Sequence, residues 1–188
     1  MTEVVNLDDW NPSEETLRKW AYAENLALAD QEEDLILQEE AYLPLLLELA
    51  DDPACPKADY ILSCLDHYLM FRVLLGKEEF DLAIVEKGAV LAGRATSGSI
   101  RDWGQLQQRR LEYRQGTGPV SRETALVMAR DLLIGICRRA DLSLVGERDD
   151  TWEIELSVPP ENRHRERLSI DKQTGRFSFS RYGEDWGC

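Results

Sequence analysis

The sequence predicts an α+β fold: a bundle of five or six helices followed by a small C-terminal antiparallel sheet of three or four strands. Three observations carry that expectation. Apolar residues recur three and four positions apart through the first two thirds of the chain. After Asp141 the spacing changes to alternation, with Trp152, Ile154, Leu156 and Val158 interleaved with Glu153, Glu155 and Ser157. Clusters of proline, glycine, aspartate and serine punctuate the chain between these segments.

The first helix is signalled by Asn11 as N-cap, Pro12 at the first helical position and Glu14 as a capping-box acid. Leu17, Trp20, Ala21 and Leu28 form its apolar stripe. A second helical pattern runs through Leu35, Glu39 and Tyr42. Pro44, which has no amide hydrogen, is expected to kink or end it, with Leu45 to Leu49 adding a turn or two. Asp51 to Pro56 reads as a loop. The next helix runs from Pro56 through Ile61, Leu65, Leu69 and Val73 to Gly76. Leu62, Tyr68 and Leu74 widen its apolar face, which predicts a place at the centre of the core. A helix from Glu78 to about Ala92 follows, with Phe80, Ile84 and Leu91 on one side and Gly88 open to a close approach. Thr96 to Ser99 is a turn, and Ser99 is expected to cap a helix over 100–114 carrying Ile100, Trp103, Leu106 and Leu111. Gln115 to Pro119 reads as a linker. Ser121 then caps a helix with Ala125, Met128, Ala129, Leu132, Leu133 and Ile136 inward.

Leu142, Leu144 and Gly146 suggest a short strand ahead of the Trp152 strand, which Pro159 and Pro160 close. Leu168 and Ile170 mark the next strand. Asp171 to Gly175 is a tight turn in which glycine supplies a positive φ, and Phe177 and Phe179 mark the last strand. The domain organisation read from this is an acidic helical region over 1–115, a helix-plus-sheet region over 119–182 packed with it as one unit, and a tail over 183–188. The alternative is two lobes hinged near Gly116 to Pro119.

Charge is distributed unevenly. The chain has 36 acidic and 22 basic residues, and up to Asp59 the count is 16 acidic against three basic. Such a field repels nucleic acid and acidic membranes and attracts basic surfaces, so the expected partner is a basic protein. The other reading is a solvated, solubilising face. No run approaches the length of a membrane helix, and Met1-Thr2-Glu3 does not begin a basic-then-apolar leader, so the expected compartment is the cytoplasm.

Chemical motifs are sparse. Cys55, Cys64, Cys137 and Cys188 are irregularly spaced and predict neither a disulfide framework nor a zinc site. Cys64 and His67 are three apart on one predicted helix, a spacing that lets a thiol and an imidazole share a face. The apolar helix around them favours a structural role. His164 falls in a polar segment between strands. Glu32, Glu33, Asp34, Glu39 and Glu40 lack the Glu-x-x-His partner of a carboxylate metal centre, and no cofactor or metal is expected. Gly116-Thr117-Gly118-Pro119 precedes a helix but lacks the residues of a nucleotide loop. Arg94, Arg101, Arg109, Arg110 and Arg114 interleave with Trp103 and Tyr113. They are expected to pair with the acidic helices, in the same chain or in a second copy, rather than to bind nucleic acid.

Trp152-Glu153-Ile154-Glu155-Leu156 and the segment Leu168 to Phe177, preceded by a capped helix, resemble the helix-plus-hairpin ending of PepSY-like domains and of some small bacterial immunity proteins. That resemblance covers the last third of the chain. It implies a non-catalytic binding or inhibitory module and carries over no individual site residue.

The leading expectation is therefore an acidic binding protein, of the bacterial immunity or inhibitor kind, that neutralises a basic toxin or nuclease. Its carriers would be Glu32, Glu33, Asp34, Glu39, Glu40, Asp51 and Asp52, with Trp10 or Tyr42 as aromatic anchors. The alternatives are a structural or assembly subunit of a phage or secretion system, and an enzyme using Cys64 and His67; besides a basic protein, a second copy of the chain, in a homodimer, is an expected partner.

Overall fold

The computed structural model describes residues 11–23, 37, 39–75, 79–133, 141–157 and 165–182. They contain six α-helices followed by a four-stranded antiparallel sheet, the α+β architecture expected from the spacing. The chain divides into two units, Met1–Leu69 with Ala83–Gln107, and Met70–Leu82 with Gln108–Cys188.

In the first unit, α1 spans Glu14–Tyr22 and is capped by Ser13, not Asn11. The Ser13 hydroxyl accepts the Thr16 amide at 3.2 Å, from an extended backbone that places it over the first turn. Asn11 lies outside the helix, where its side-chain oxygen accepts the Tyr42 hydroxyl at 2.7 Å. Leu17, Trp20 and Ala21 are buried as the stripe predicts. Leu28 and Leu35 lie outside the described residues.

Pro44 opens a helix instead of ending one. A 3-10 turn, Glu40–Tyr42, leads directly into α2, Leu43–Asp51, and Pro44 sits in its first turn. Amides there have no intrahelical acceptor, so the missing N–H costs nothing. Leu43, Leu45, Leu46, Leu47 and Leu49 are all buried.

Helix α3, Ala58–Leu75, follows the expected course, with Ile61, Leu65, Leu69 and Val73 buried. In the first unit its Asp66 carboxylate accepts both the Trp103 indole N–H and the Gln107 amide at 2.9 Å, so that α3 holds α5, Gly98–Gln115. Helix α4, Glu79–Ala92, approaches through small residues. A Cβ at Gly104 would lie 2.8 Å from Ala92 Cβ and 3.2 Å from the Ala89 carbonyl oxygen. A Cβ at Gly88 would meet Leu69 Cδ1 at 2.9 Å. Helix α5 begins two residues earlier than the capping pattern suggests. The Ser97 carbonyl already accepts the Arg101 amide at 3.2 Å, which puts Ser99 inside the first turn.

In the second unit Met70, Val73, Leu74, Leu111 and Tyr113 are buried, and α6, Arg122–Leu133, leads toward the sheet. Ser121 caps α6 by accepting the Thr124 amide at 3.2 Å, and Ala125, Met128, Ala129, Leu132 and Leu133 are buried. Strands β1, Asp141–Glu147, β2, Thr151–Ser157, β3, Arg165–Asp171, and β4, Phe177–Tyr182, form a meander in sequence order, with a bulge in β1 between Leu144 and Gly146. Leu168 faces Ile154 on one side and Phe179 on the other, and Ile170 faces Trp152 and Phe177. These pairs make the buried face of the sheet, against which α6 packs through β1 and β2.

The Asp171–Gly175 turn behaves as read: one Asp171 oxygen accepts the Gln173 and Thr174 amides and the Thr174 hydroxyl, and Gly175 has φ +69°. The segment read as a linker is bonded to this turn. Gly116 and Gly118 take positive φ, Gly118 donates to the Thr174 carbonyl at 3.0 Å, and Val120 donates to that of Lys172 at 2.8 Å. The carbonyl of Val120 in turn accepts the Trp152 indole. Ile136, Val158, Pro159, Pro160, His164 and the 183–188 tail lie outside the described residues.

The close approach at Gly104 sets a testable cost. Gly104→Ala must separate α5 from α4 and is expected to lose about 1–3 kcal/mol in thermal or urea unfolding. Gly98→Ala, whose Cβ meets nothing within 4 Å, is expected to be neutral or to gain up to about 1 kcal/mol. Equal effects from the two substitutions would contradict the packing described.

Candidate functional site

The α2–α3 loop is short and doubly proline-bounded. Its shape is fixed by Asp52, whose carboxylate accepts the Ala54 amide at 2.8 Å and whose carbonyl accepts the Cys55 amide at 3.0 Å. Cys55 and Lys57 then turn inward. The buried Lys57 ammonium donates to the Trp20 and Ala23 carbonyls at 2.6 and 2.7 Å, at the C-terminal end of α1, and lies 5.1 Å from the Trp20 ring centre. The loop is thereby seated on α1.

Across from the loop stands the α4–α5 turn. The two enclose a cleft of about 500 Å³ lined by Asp51, Asp52, Cys55, Asp59, Thr96, Ser97 and Ser99, with the alanines and prolines of the loop. Among the described residues no lysine or arginine lines it. Arg101 stands beside it, with its guanidinium donating to the Ala95 and Thr96 carbonyls at 2.9 and 2.7 Å. The cleft is therefore lined by three carboxylates and three hydroxyls, a negatively charged lining suited to a cationic group. Among the described residues no three His, Cys, Asp or Glu side chains gather closely enough to hold a metal ion.

The surrounding bonds tune these acids. The Tyr22 hydroxyl donates to Asp52, and that bond, with the Ala54 amide, holds the Asp52 carboxyl below the usual range against the opposing effect of neighbouring Asp51. The same bond, with burial, pushes the Tyr22 phenol up to about 12. Glu48, one turn before the loop, makes a two-pronged pair with Arg18 at 2.8 and 2.9 Å, and this bond lowers its pKa. Burial raises the Cys55 thiol, which donates to the Ala21 carbonyl at 3.7 Å.

Of the residues singled out in the sequence, Asp51 and Asp52 come together in the cleft. Glu39 is exposed, and Glu40 accepts the Lys87 ammonium at 2.9 Å. Tyr42 is buried, its hydroxyl bonded to Asn11 and to the Pro12 carbonyl. Glu32, Glu33, Asp34 and Trp10 lie outside the described residues. Asp59 and the hydroxyls of Thr96, Ser97 and Ser99 were not singled out. Asp59, in the first turn of the helix after an acidic loop, offered a signal; the hydroxyls, distant in sequence, offered none. Cys64 is half-buried and His67 exposed on α3. Arg109 and Arg110 bond to Asp131 of α6, through its carboxylate and its carbonyl, and Tyr113 donates to the same carboxylate. No helix among the described residues is long and apolar enough to cross a membrane.

Comparison of the chain with known family models, curated proteins and solved structures finds no match.

Breaking the Tyr22 bond has a spectroscopic signature. In Asp52→Asn, ultraviolet titration should show the Tyr22 phenol falling from about 12 toward its ordinary value of 10.0. Tyr113, also held near 12 by burial and Asp131, should stay where it is and serves as the internal reference. An unchanged Tyr22 titration would contradict the pairing.

Proposed function

We propose that the chain is a non-catalytic acidic binding protein of the inhibitor or immunity kind, and that it holds a basic protein partner at the cleft between the α2–α3 loop and the α4–α5 turn. The observation that carries this reading is the cleft itself: Asp51, Asp52 and Asp59 line one concavity, with no lysine or arginine among the described residues of its lining. Its position within the strongly acidic stretch that ends at Asp59 supports it, because the field there steers a cationic surface toward the site. An arginine or lysine side chain has the length to enter such a cleft and the donors to meet its carboxylates and hydroxyls.

The test is retention of partners from the native host's lysate on the full chain, compared with Asp52→Lys/Asp59→Lys, at low and moderate salt. The expected result is a basic protein held by the unmodified chain, released as salt rises, and associating at least about tenfold more slowly with the doubly reversed variant. A basic protein held equally by both, or no basic protein held by the unmodified chain, contradicts the reading.

A further inference from the structure

We propose that Asp51 is the latch of the cleft, a positioning residue that ties its two walls together and sets how far they open, while Asp52 and Asp59 present charge to the interior. The inference builds on the cleft as the binding site but concerns the unliganded chain.

Asp51 is the last residue of α2 and stands at the start of one wall. Its carboxylate reaches across to the other: one oxygen accepts the Thr96 amide at 2.8 Å and the Thr96 hydroxyl at 2.9 Å, and the second accepts the Ser97 amide at 2.7 Å. These amides immediately precede α5, where backbone N–H groups have no helical acceptor. Asp51 thus caps α5 from another helix, with both oxygens engaged, and the same bonds fix the separation of the loop from the turn. Asp52 bonds within its own wall and to Tyr22 of α1, and Asp59 is exposed, so neither spans the gap in this way.

The groups facing Asp51 are Thr96 and Ser97 from the turn, Arg101 from α5, and Asp52 from its own loop. Burial raises the Asp51 carboxyl, but the Thr96 and Ser97 bonds together with Arg101 outweigh it, and the net displacement is downward from the ordinary 3.8. A lowered pKa means that the bonds stabilise the closed cleft fully above the unfolded-state value and are lost as pH falls through the folded-state value. The latch is therefore shut at neutral pH and opens only in strong acid or on neutralising the side chain.

Cys55, buried in the cleft lining, reports opening, and Cys64 on α3, outside the lining, is the internal control. In Asp51→Asn at neutral pH, mass-spectrometric labelling with iodoacetamide should modify Cys55 about tenfold faster than in the unmodified chain, with Cys64 unchanged. The unmodified chain should show the same selective gain at Cys55 with 4,4′-dithiodipyridine as pH is taken from 5 to well below 3.8, the carboxyl's ordinary value, which reads the latch even if Asp51→Asn does not fold. Unchanged Cys55 labelling in both experiments, or parallel acceleration of Cys55 and Cys64, would overturn the assignment. Neither experiment involves a partner, so a failed latch and a failed binding reading are told apart.

Discussion

The last turns of α2 carry the constraint on which the first unit depends. Three acidic side chains there are each bonded to a different place. Glu48 grips Arg18, Asp51 caps the amides before α5, and Asp52 takes the Tyr22 hydroxyl and the Ala54 amide. Charge–hydrogen-bond contacts of this kind are stronger than neutral ones. Exposed pairs such as Arg18–Glu48 contribute little each, so it is Asp51, with both oxygens engaged and its bond to the Ser97 amide partly buried, that fixes the geometry.

This arrangement divides the acidic stretch by role. A net negative composition suggests one undifferentiated face. Instead, Glu40, Glu48, Asp51 and Asp52 are bonded within the fold, whereas Glu39 and Asp59 are exposed. Part of the acidity positions loops, part of it is displayed, and Asp52, bonded yet lining the cleft, does both. The loop is anchored on α1 by Cys55 and Lys57, and its wall of the cleft is formed by Asp52, Cys55 and the prolines, facing Thr96 and Ser97 of the turn.

Much of the fold was legible from periodicity, and the reason is local. Ile61, Leu65, Leu69 and Val73 sit on one helical stripe, and Ile154, Leu168, Ile170 and Phe177 obey the alternation of a one-sided sheet. The departures from the pattern were also local. Ser13 displaced Asn11 as a cap because its hydroxyl stands over the first turn. Pro44 opened a helix because its place in the first turn removed the cost of a missing amide. The site was only half legible. Asp51 and Asp52 stand out in sequence, but their counterparts Thr96, Ser97 and Ser99 arrive through tertiary folding that no local pattern encodes, and Gly116–Pro119 looked like a linker because its bonds run to a distant turn.

The central claim is that cationic groups are recognised at one cleft and not across a diffuse acidic surface. The direct measurement is an amide NMR titration of the full chain with a short oligo-arginine peptide at low salt. The account predicts shift changes concentrated at Ala50–Asp59 and Thr96–Ser99, saturating with peptide and reduced by added salt. Changes spread evenly over the acidic residues up to Asp59, or absent from Thr96–Ser99, would contradict it.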